Sequence, residues 1–576
     1  MFDIETTFEY LSKTESCTKL SAHEIINLGY KFYKNSPVWK IETEITFKGD
    51  CKQISLYLNF PNNFPYSIPK VFISKSDYEG FKYVPHINDD LSICIFDEGI
   101  NNTFPIESAN EIVEYIVHQA KEIIKNSEDN EYLEREFKRE FKAYWELEYK
   151  KHDKTSKSGL HLLNSLDPEL IKGIRLKYLL NGYEFILYNE GHSWDIFKKF
   201  LEYHKLKYDE INVFLIDNPF TNPPFDLTFN KSTEILSKTP SLYDEFKRHI
   251  KKNGLDNTLV AFTNENTEVY GWCYRELLVK ISSIKGSRKK PNNLELLNHP
   301  VFGRSNVLRI VFDNLTYDRL QLRTSGVIEK STSLTISGLG SVGSNLIHFL
   351  KNFPVNKFHL IDDESLKLEN INRHYLGFNY INNGKAPAIK DLIINSNPFC
   401  EIETENRSIQ DVITENPEFI NDSDFHIVCI GETMIENYIL NSILERKLTK
   451  PIFLFWVEPF LASGQMLFIN PFDVEKAITL INNYRYNVLL SKDSNKEKTY
   501  LKEGSCQTGY FPYSSTYLIQ FLSAIFPNLK SHIIDGNMNS TAYTWIGDKD
   551  LLGSLNLEIT DFATSKSSYE LIINPI

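Results

Sequence analysis

Hydrophobic positions recur along the chain with two different spacings, and the order of those spacings divides it into three regions. In residues 1–150, an amphipathic stretch near Leu20–Tyr33 precedes two runs rich in β-branched and aromatic residues, Val38–Phe47 and Ile54–Phe60, which read as strands. A proline-punctuated connection, Pro61-Asn62-Asn63-Phe64-Pro65-Tyr66-Ser67-Ile68-Pro69, leads to another strand at Lys70–Ser74. Ile112, Ile116, Ala120 and Ile123 then line one helical face behind Ser108-Ala109-Asn110-Glu111, a capping-box sequence. Leu133, Phe137, Phe141, Trp145 and Leu147 stripe a second helix. Helix, antiparallel strands, an irregular stretch and helices together predict an α+β domain.

The polar segment Lys150–Ser158 reads as a linker. Residues 151–315 carry candidate strands at Glu184–Tyr188, Val213–Ile216 and Leu259–Phe262 but no motif, so this region is a linker domain of unknown role. In residues 316–576 strand and helix patterns alternate, which predicts a doubly wound α/β sheet. The fold class expected is therefore multidomain, α+β followed by α/β.

The third region opens with the apolar strand Ser333–Ser337, then Gly338-Leu339-Gly340-Ser341-Val342-Gly343, then a helical run from Ser344. This is strand, G-x-G-x-x-G, helix. Gly338, Gly340 and Gly343 permit a tight turn and close approach of backbone to phosphate, and the helix start offers unpaired N–H groups to an anion. The next strand, Lys357–Ile361, ends in Asp362-Asp363, where a carboxylate can hold ribose hydroxyls. A Rossmann oxidoreductase shows the same pattern. Asn370-Ile371-Asn372-Arg373 and Gly384-Lys385-Ala386 add an arginine and a lysine beyond the ribose acid. ATP and an attacking carboxylate together need such fixed cations and Mg²⁺.

The run Asp362 to Arg373 resembles the signature of ubiquitin-activating and ThiF/MoeB-type adenylating enzymes, and the resemblance implies a Rossmann-like adenylation fold. It assigns Asp362 to the ribose and Asn370, Arg373 and Lys385 to the surroundings of ATP, with Arg373 also catalytic. Arg319 and Arg323 resemble arginines that precede the glycine strand in that family. The family's Mg²⁺-binding Asp follows a later strand. Here Glu432 stands in that place, after His426–Ile430 and Gly431, and becomes the expected metal ligand. The zinc cysteines of the sulfur-carrier branch are absent.

Two of the seven cysteines are candidate thioester carriers. Cys506 lies among small and polar residues, Glu503-Gly504-Ser505-Cys506-Gln507-Thr508-Gly509, after the adenylation core, where an exposed thiolate is usable. Cys429 sits inside an apolar strand and reads as core. Tyr83 to Asp97 resembles the active-site segment of ubiquitin-conjugating enzymes, with His86-Ile87-Asn88 in place of their His-Pro-Asn and Ser92-Ile93-Cys94-Ile95 around the cysteine. Pro61, Phe64-Pro65 and Pro69 match that family's proline run. The resemblance spans roughly residues 20–146 and implies a ubiquitin-conjugating-like fold. In it Cys94 carries a thioester, Asn88 supports the oxyanion and His86 is structural. Asp89 and Asp97 are candidates to orient an amine, or are surface acids. Cys94 could instead be filler between Ile93 and Ile95.

A net charge of −13 and a pI near 5.6 disfavour direct nucleic-acid or membrane binding. The apolar pattern predicts no transmembrane helix, and few cysteines with no C-x-x-C pair fit a cytoplasmic protein. The domain order resembles fusion proteins of antiphage CBASS operons. That implies a homodimer that activates the C-terminus of a cGAS-like nucleotidyltransferase with ATP and Mg²⁺ and joins it to a target amine. Conjugation of a ubiquitin-like β-grasp protein, a Rossmann oxidoreductase and a non-catalytic scaffold remain open at this point.

Overall fold

The computed structural model describes the chain apart from residues 1–3, 82–83, 89, 96–107, 153–156, 221–226, 256, 265–267, 275–292, 352, 485–486, 491–492 and 503–508. Trp39, Ile41, Ile45 and Phe47 alternate with exposed or half-exposed residues along a strand, as a sheet with one buried face requires. That strand, β2 (Val38–Phe47), lies in an antiparallel sheet ordered β1 (Ser16–Lys19), β2, β3 (Asp50–Asn59), β4 (Lys70–Ile73) and β5 (Ser92–Ile93). The helix Ala109–Asn126 covers the sheet with Ile112, Val113, Ile116, Val117, Ala120 and Ile124. Ile124, rather than Ile123, completes the buried stripe. The capping box expected at Ser108 does not form. Ser108 has φ −96° and ψ 23°, outside the extended conformation an N-cap needs, and its side chain makes no capping bond.

The helix expected over Leu133–Leu147 is two helices, Asn130–Arg139 and Phe141–His152, broken at Glu140. Phe137, Phe141 and Trp145 are buried, but in a different core from the sheet of β1–β5. They pack against a closed barrel ordered β10 (Thr258–Thr263), β11 (Val269–Cys273), β12 (Leu308–Asn314), β6 (Lys157–Leu162), β8 (Tyr183–Asn189), β7 (Ile171–Leu180) and β9 (Tyr208–Ile216). Trp145 Nε1–H donates to the Ile310 carbonyl at 3.1 Å, and its ring meets Phe262 edge-on at 5.2 Å. Gly159 lies so close to the Phe312 ring that a Cβ there would approach it to 2.2 Å.

Packing groups the chain as two units, Met1–Asn189 with Tyr208–Asn314, and Glu190–Lys207 with Leu315–Ile576. The division near residue 150 drawn from sequence falls inside the helix Phe141–His152. The helix His192–Tyr203 packs in the second unit, where Phe197 meets Phe399 and Tyr203 donates to Asp391 Oδ1 at 2.9 Å.

The second unit is built on an eight-stranded sheet, β15 (Glu401–Glu405), β14 (Val355–Ile361), β13 (Thr332–Ser337), β16 (Phe425–Val428), β17 (Ile452–Val457), β18 (Ser463–Ile469), β21 (Thr541–Ile546) and β22 (Leu571–Pro575). β13 to β17 run parallel and the remainder antiparallel. Both faces are covered, so its strands are continuously apolar: Phe453 and Phe455 enter one core, Leu454 and Trp456 the other. A two-stranded hairpin pairs β19 (Leu501–Lys502) with β20 (Gly509–Tyr510). Strand order reverses at β13, which pairs with β14 on one side and β16 on the other. A crevice at the C-terminal ends of such strands is where α/β sheets hold ligands. Among the described residues no helix is long and apolar enough to cross a membrane.

Candidate functional site

At the reversal point, β13 turns into the helix Ser341–Leu350 through the glycine motif. Gly338 has φ +85°, and a Cβ on it would press within 2.9 Å of the Cys429 carbonyl group at the end of β16. A Cβ on Gly343 would fall 2.0 Å from the Gly338 carbonyl oxygen. These two glycines are therefore required by packing. Gly340 is different: a Cβ there would meet nothing within 4 Å, and the helix it begins has no side-chain cap. An uncapped helix start facing open space is the feature a phosphate needs.

The sequence-predicted residues gather around this turn. Asp362 follows β14. Its Oδ2 accepts the Leu339 N–H at 2.6 Å and its Oδ1 the Glu364 N–H at 2.9 Å, so the acid braces the glycine loop. Burial pushes its carboxyl up, opposed by the nearby Lys385. Lys385 is 5% exposed and opens the helix Lys385–Ser396, where the helix dipole disfavours a cation. It ion-pairs with Glu364, whose own carboxyl is held below its usual range chiefly by that hydrogen bond. The buried Lys385 ammonium thus lies near two carboxyl groups, Glu364 and Asp362.

Arg373 is half-buried. Its backbone carbonyl accepts Ser341 Oγ–H at 2.7 Å and Asn345 Nδ2–H at 2.8 Å, which fixes its segment to the glycine helix. Its guanidinium donates to the Phe511 carbonyl at 3.4 Å and lies 5.5 Å from the Tyr513 ring centroid. Asn370 sits one turn ahead, and its backbone carbonyl accepts the N–H groups of Arg373 and His374. Glu432 is exposed just beyond β16, on the loop across the crevice. Among the described residues no group of three or more His, Cys, Asp or Glu could hold a metal. Mg²⁺ shared with a nucleotide commonly takes one or two protein carboxylates, so a lone Glu432 fits that demand.

Sequence reasoning missed the supports. His374 accepts the Leu376 N–H on Nδ1 at 3.0 Å, so its proton is on Nε2, which donates to the Leu339 carbonyl at 2.7 Å. Burial pushes this imidazole down to about 4. Ser341, Asn345, His374 and Glu364 carry no spacing signal. What assigns them is proximity across the turn.

In the first unit, Cys94 follows β5 on a short hairpin in which Ile87 bridges Ile93. The Cys94 N–H donates to the His86 carbonyl at 2.7 Å. Ile93 is buried while Cys94 is half-buried. His86 binds Glu140 Oε1 through Nδ1 at 2.6 Å and lies 3.3 Å from Glu136 through Nε2. Burial opposes its charge, but the two glutamates outweigh it and raise the imidazole. The Asn88 amide donates to Ser92 Oγ at 2.9 Å, two residues ahead of Cys94. Cys506, Asp89 and Asp97 lie outside the described residues. Burial pushes Cys17 up to about 11 and raises Cys400 and Cys429 further, which disfavours their thiolates.

Comparison with known proteins agrees with this division. Residues 33–153 match the Prokaryotic E2 family B model and residues 320–500 the ThiF family model. Ubiquitin-like modifier-activating enzyme 5 of Caenorhabditis elegans is 29% identical over 105 residues, 17% of this chain and 25% of that protein. Its Caenorhabditis briggsae counterpart is 29% identical over 105 residues, 17% of this chain and 24% of that protein. The chain thus spans about a quarter of these relatives. Among solved structures, PaaA has a TM-score of 0.28 at 16% identity, over 37% of this chain and 60% of that one. The Escherichia coli MccB structure with ATP has a TM-score of 0.26 at 11% identity, over 40% of this chain and 62% of that one. The chain carries a prokaryotic E2 family B domain ahead of a ThiF domain.

Proposed function

We propose that this chain is a ubiquitin-like conjugation enzyme that uses ATP to activate a protein C-terminus and passes it between two cysteines. The observation that carries the reading is the uncapped helix start at Gly340 with Arg373 and the buried Lys385 fixed beside it, in one chain with the Cys94 hairpin. A substrate carboxylate oxygen attacks the α-phosphorus of ATP and pyrophosphate leaves, forming an acyl adenylate. Arg373 and Lys385 offset charge on the phosphates, and Asp362 and Asn370 place the ribose and the phosphate-side loop. Glu432 is the residue that would hold Mg²⁺, which would supply further charge neutralisation for the leaving group.

The Cys506 thiolate then displaces AMP to give a thioester. Cys94 displaces Cys506 in turn, and an amine of the target attacks the carbonyl with Asn88 supporting the oxyanion. Thioester exchange needs no second ATP. The substrate we infer is the C-terminus of a cGAS-like nucleotidyltransferase, in antiphage defence, with the enzyme acting as a cytoplasmic homodimer. This rests on the order of the two domains in one chain. The match to ubiquitin-like modifier-activating enzymes favours a β-grasp protein as the second reading. Pyrophosphate exchange with a purified cGAS-like nucleotidyltransferase, and with the same protein lacking its C-terminal residues, separates them. Exchange that needs the intact C-terminus supports the first reading, and exchange only with a β-grasp protein replaces it. Arg373→Ala abolishes exchange; undiminished exchange by a folded Arg373→Ala protein removes the site assignment.

A further inference from the structure

Glu458 is fully buried just beyond β17. Its Oε1 accepts the N–H groups of Asn487 at 2.8 Å and Val488 at 2.9 Å and the Ser463 hydroxyl at 2.7 Å. Its Oε2 accepts the Leu489 N–H at 2.7 Å. All four donors are neutral. Three consecutive backbone N–H groups converging on one carboxylate form a built receptor, and burying a carboxylate is tolerated only where such donors replace its water. The network continues inward: Gln465 Nε2–H donates to Ser463 Oγ at 3.1 Å and Thr544 Oγ1–H to Gln465 Oε1 at 2.6 Å.

The turn after Glu458 is strained. Phe460 and Leu461 both have left-handed φ, 55° and 51°, which side-chain-bearing residues rarely adopt in succession. Two of the turn's amides close it on itself, Leu461 N–H on the Glu458 carbonyl at 3.0 Å and Ala462 N–H on the Pro459 carbonyl at 3.1 Å, while the Phe460 N–H turns outward to the Pro512 carbonyl at 2.6 Å. Pro512 lies between Phe511, whose carbonyl receives Arg373, and Tyr513, whose ring lies beside its guanidinium.

We infer that Glu458 is a positioning residue for Arg373: it clamps residues 487–489 to the Glu458–Leu461 turn, and the turn holds the 511–513 segment against the guanidinium. This rests on the reading of Arg373 as a phosphate ligand. Residues 487–490 are tied on their other edge as well, by Thr560 N–H to the Val488 carbonyl at 2.8 Å and Leu490 N–H to the Glu558 carbonyl at 3.0 Å, so the clamp has a fixed base.

Glu458→Gln tests it, because the amide turns a donor toward backbone donors at unchanged volume. Hydrogen exchange of the 487–489 amides and of the Phe460 amide, the donor to Pro512, is measured first and needs no assumption about activity. Calorimetric binding of Mg·ATP and of adenosine is measured next. Glu458→Gln is expected to raise exchange at 487–489 and at Phe460 and to weaken ATP roughly fivefold or more, the range of ordinary coupling between sites, while adenosine binds as before. The double variant with Arg373→Ala should bind ATP no worse than Arg373→Ala alone. Unchanged protection at Phe460 overturns the clamp. Equal losses for ATP and adenosine overturn the positioning role and leave a structural one. If wild-type protein shows no preference for ATP over adenosine, the phosphate reading of Arg373 fails, and the positioning role fails with it, whatever the exchange result. Should Glu458→Gln not fold, Ser463→Ala removes one of the four donors, and the same measurements apply with smaller changes in the same direction.

Discussion

Acidification tests how the glycine loop is held, through His374. The ring is 7% exposed and neutral, its Nε2–H on the Leu339 carbonyl and its Nδ1 on the Leu376 N–H, with Lys385 near enough to oppose a second positive charge. Protonation would set an N–H against the Leu376 N–H. The folded value is about 4, against about 6.5 in an unfolded chain. The folded value is the lower one, so the contribution of His374 is fully present above pH about 6.5, falls as pH drops and levels off below about 4. Linkage puts the loss between pH 7 and pH 5 at about 2 kcal/mol and the full loss at about 3 kcal/mol. His374→Gln isolates this share, since its amide can keep a donor toward Leu339 but does not titrate. Urea stability of the second unit is followed by hydrogen exchange of the β13 amides at pH 7 and pH 5. Wild type is expected to lose about 2 kcal/mol more than His374→Gln over that interval. Parallel losses in the two proteins would show that His374 takes up its proton normally and does not brace the loop.

Cys506→Ala should leave pyrophosphate exchange largely intact, because the carboxylate attacks ATP before a thiol is needed, and should block later transfer. A reducible substrate adduct still formed on Cys94 in that variant reverses the proposed order. Cys94→Ser should accumulate a base-labile, reductant-resistant adduct, since an oxyester transfers to amines more slowly than a thioester; normal target conjugation would reduce the first domain to a binding module. Trp145→Ala should cost the first unit about 3–5 kcal/mol, the range for emptying a buried tryptophan site, seen by urea unfolding with exchange of the β10 and β12 amides. A loss within about 0.5 kcal/mol, the level of an ordinary surface change, would place that helix outside the barrel core.

Local chemistry made the two ends of the chain legible. The G-x-G-x-x-G turn announced itself because no other residue fits where a Cβ would strike the Gly338 carbonyl, and the β-branched runs at Val38–Phe47 and Ser333–Ser337 lie within observed strands. Asp362 was readable because it ends the strand after the glycine turn, and Arg373 and Lys385 through the resemblance of their run to a known adenylating signature. The aromatic stripe of Phe137, Phe141 and Trp145 also declared a buried face. A stripe says only that a face is buried, not what buries it, and the partner is a barrel whose strands pair over long sequence separations. Glu140 was hidden as a helix break because it ends the stripe's first half to hold His86, a bond made across 54 residues. Sequence by itself determined the two motifs, the strand runs and the residue types able to meet ATP and an acyl group. Tertiary structure alone decided that His374, Ser341 and Glu458 matter. Their roles lie in hydrogen bonds to backbone groups brought near by folding, and a backbone group has no letter in the sequence.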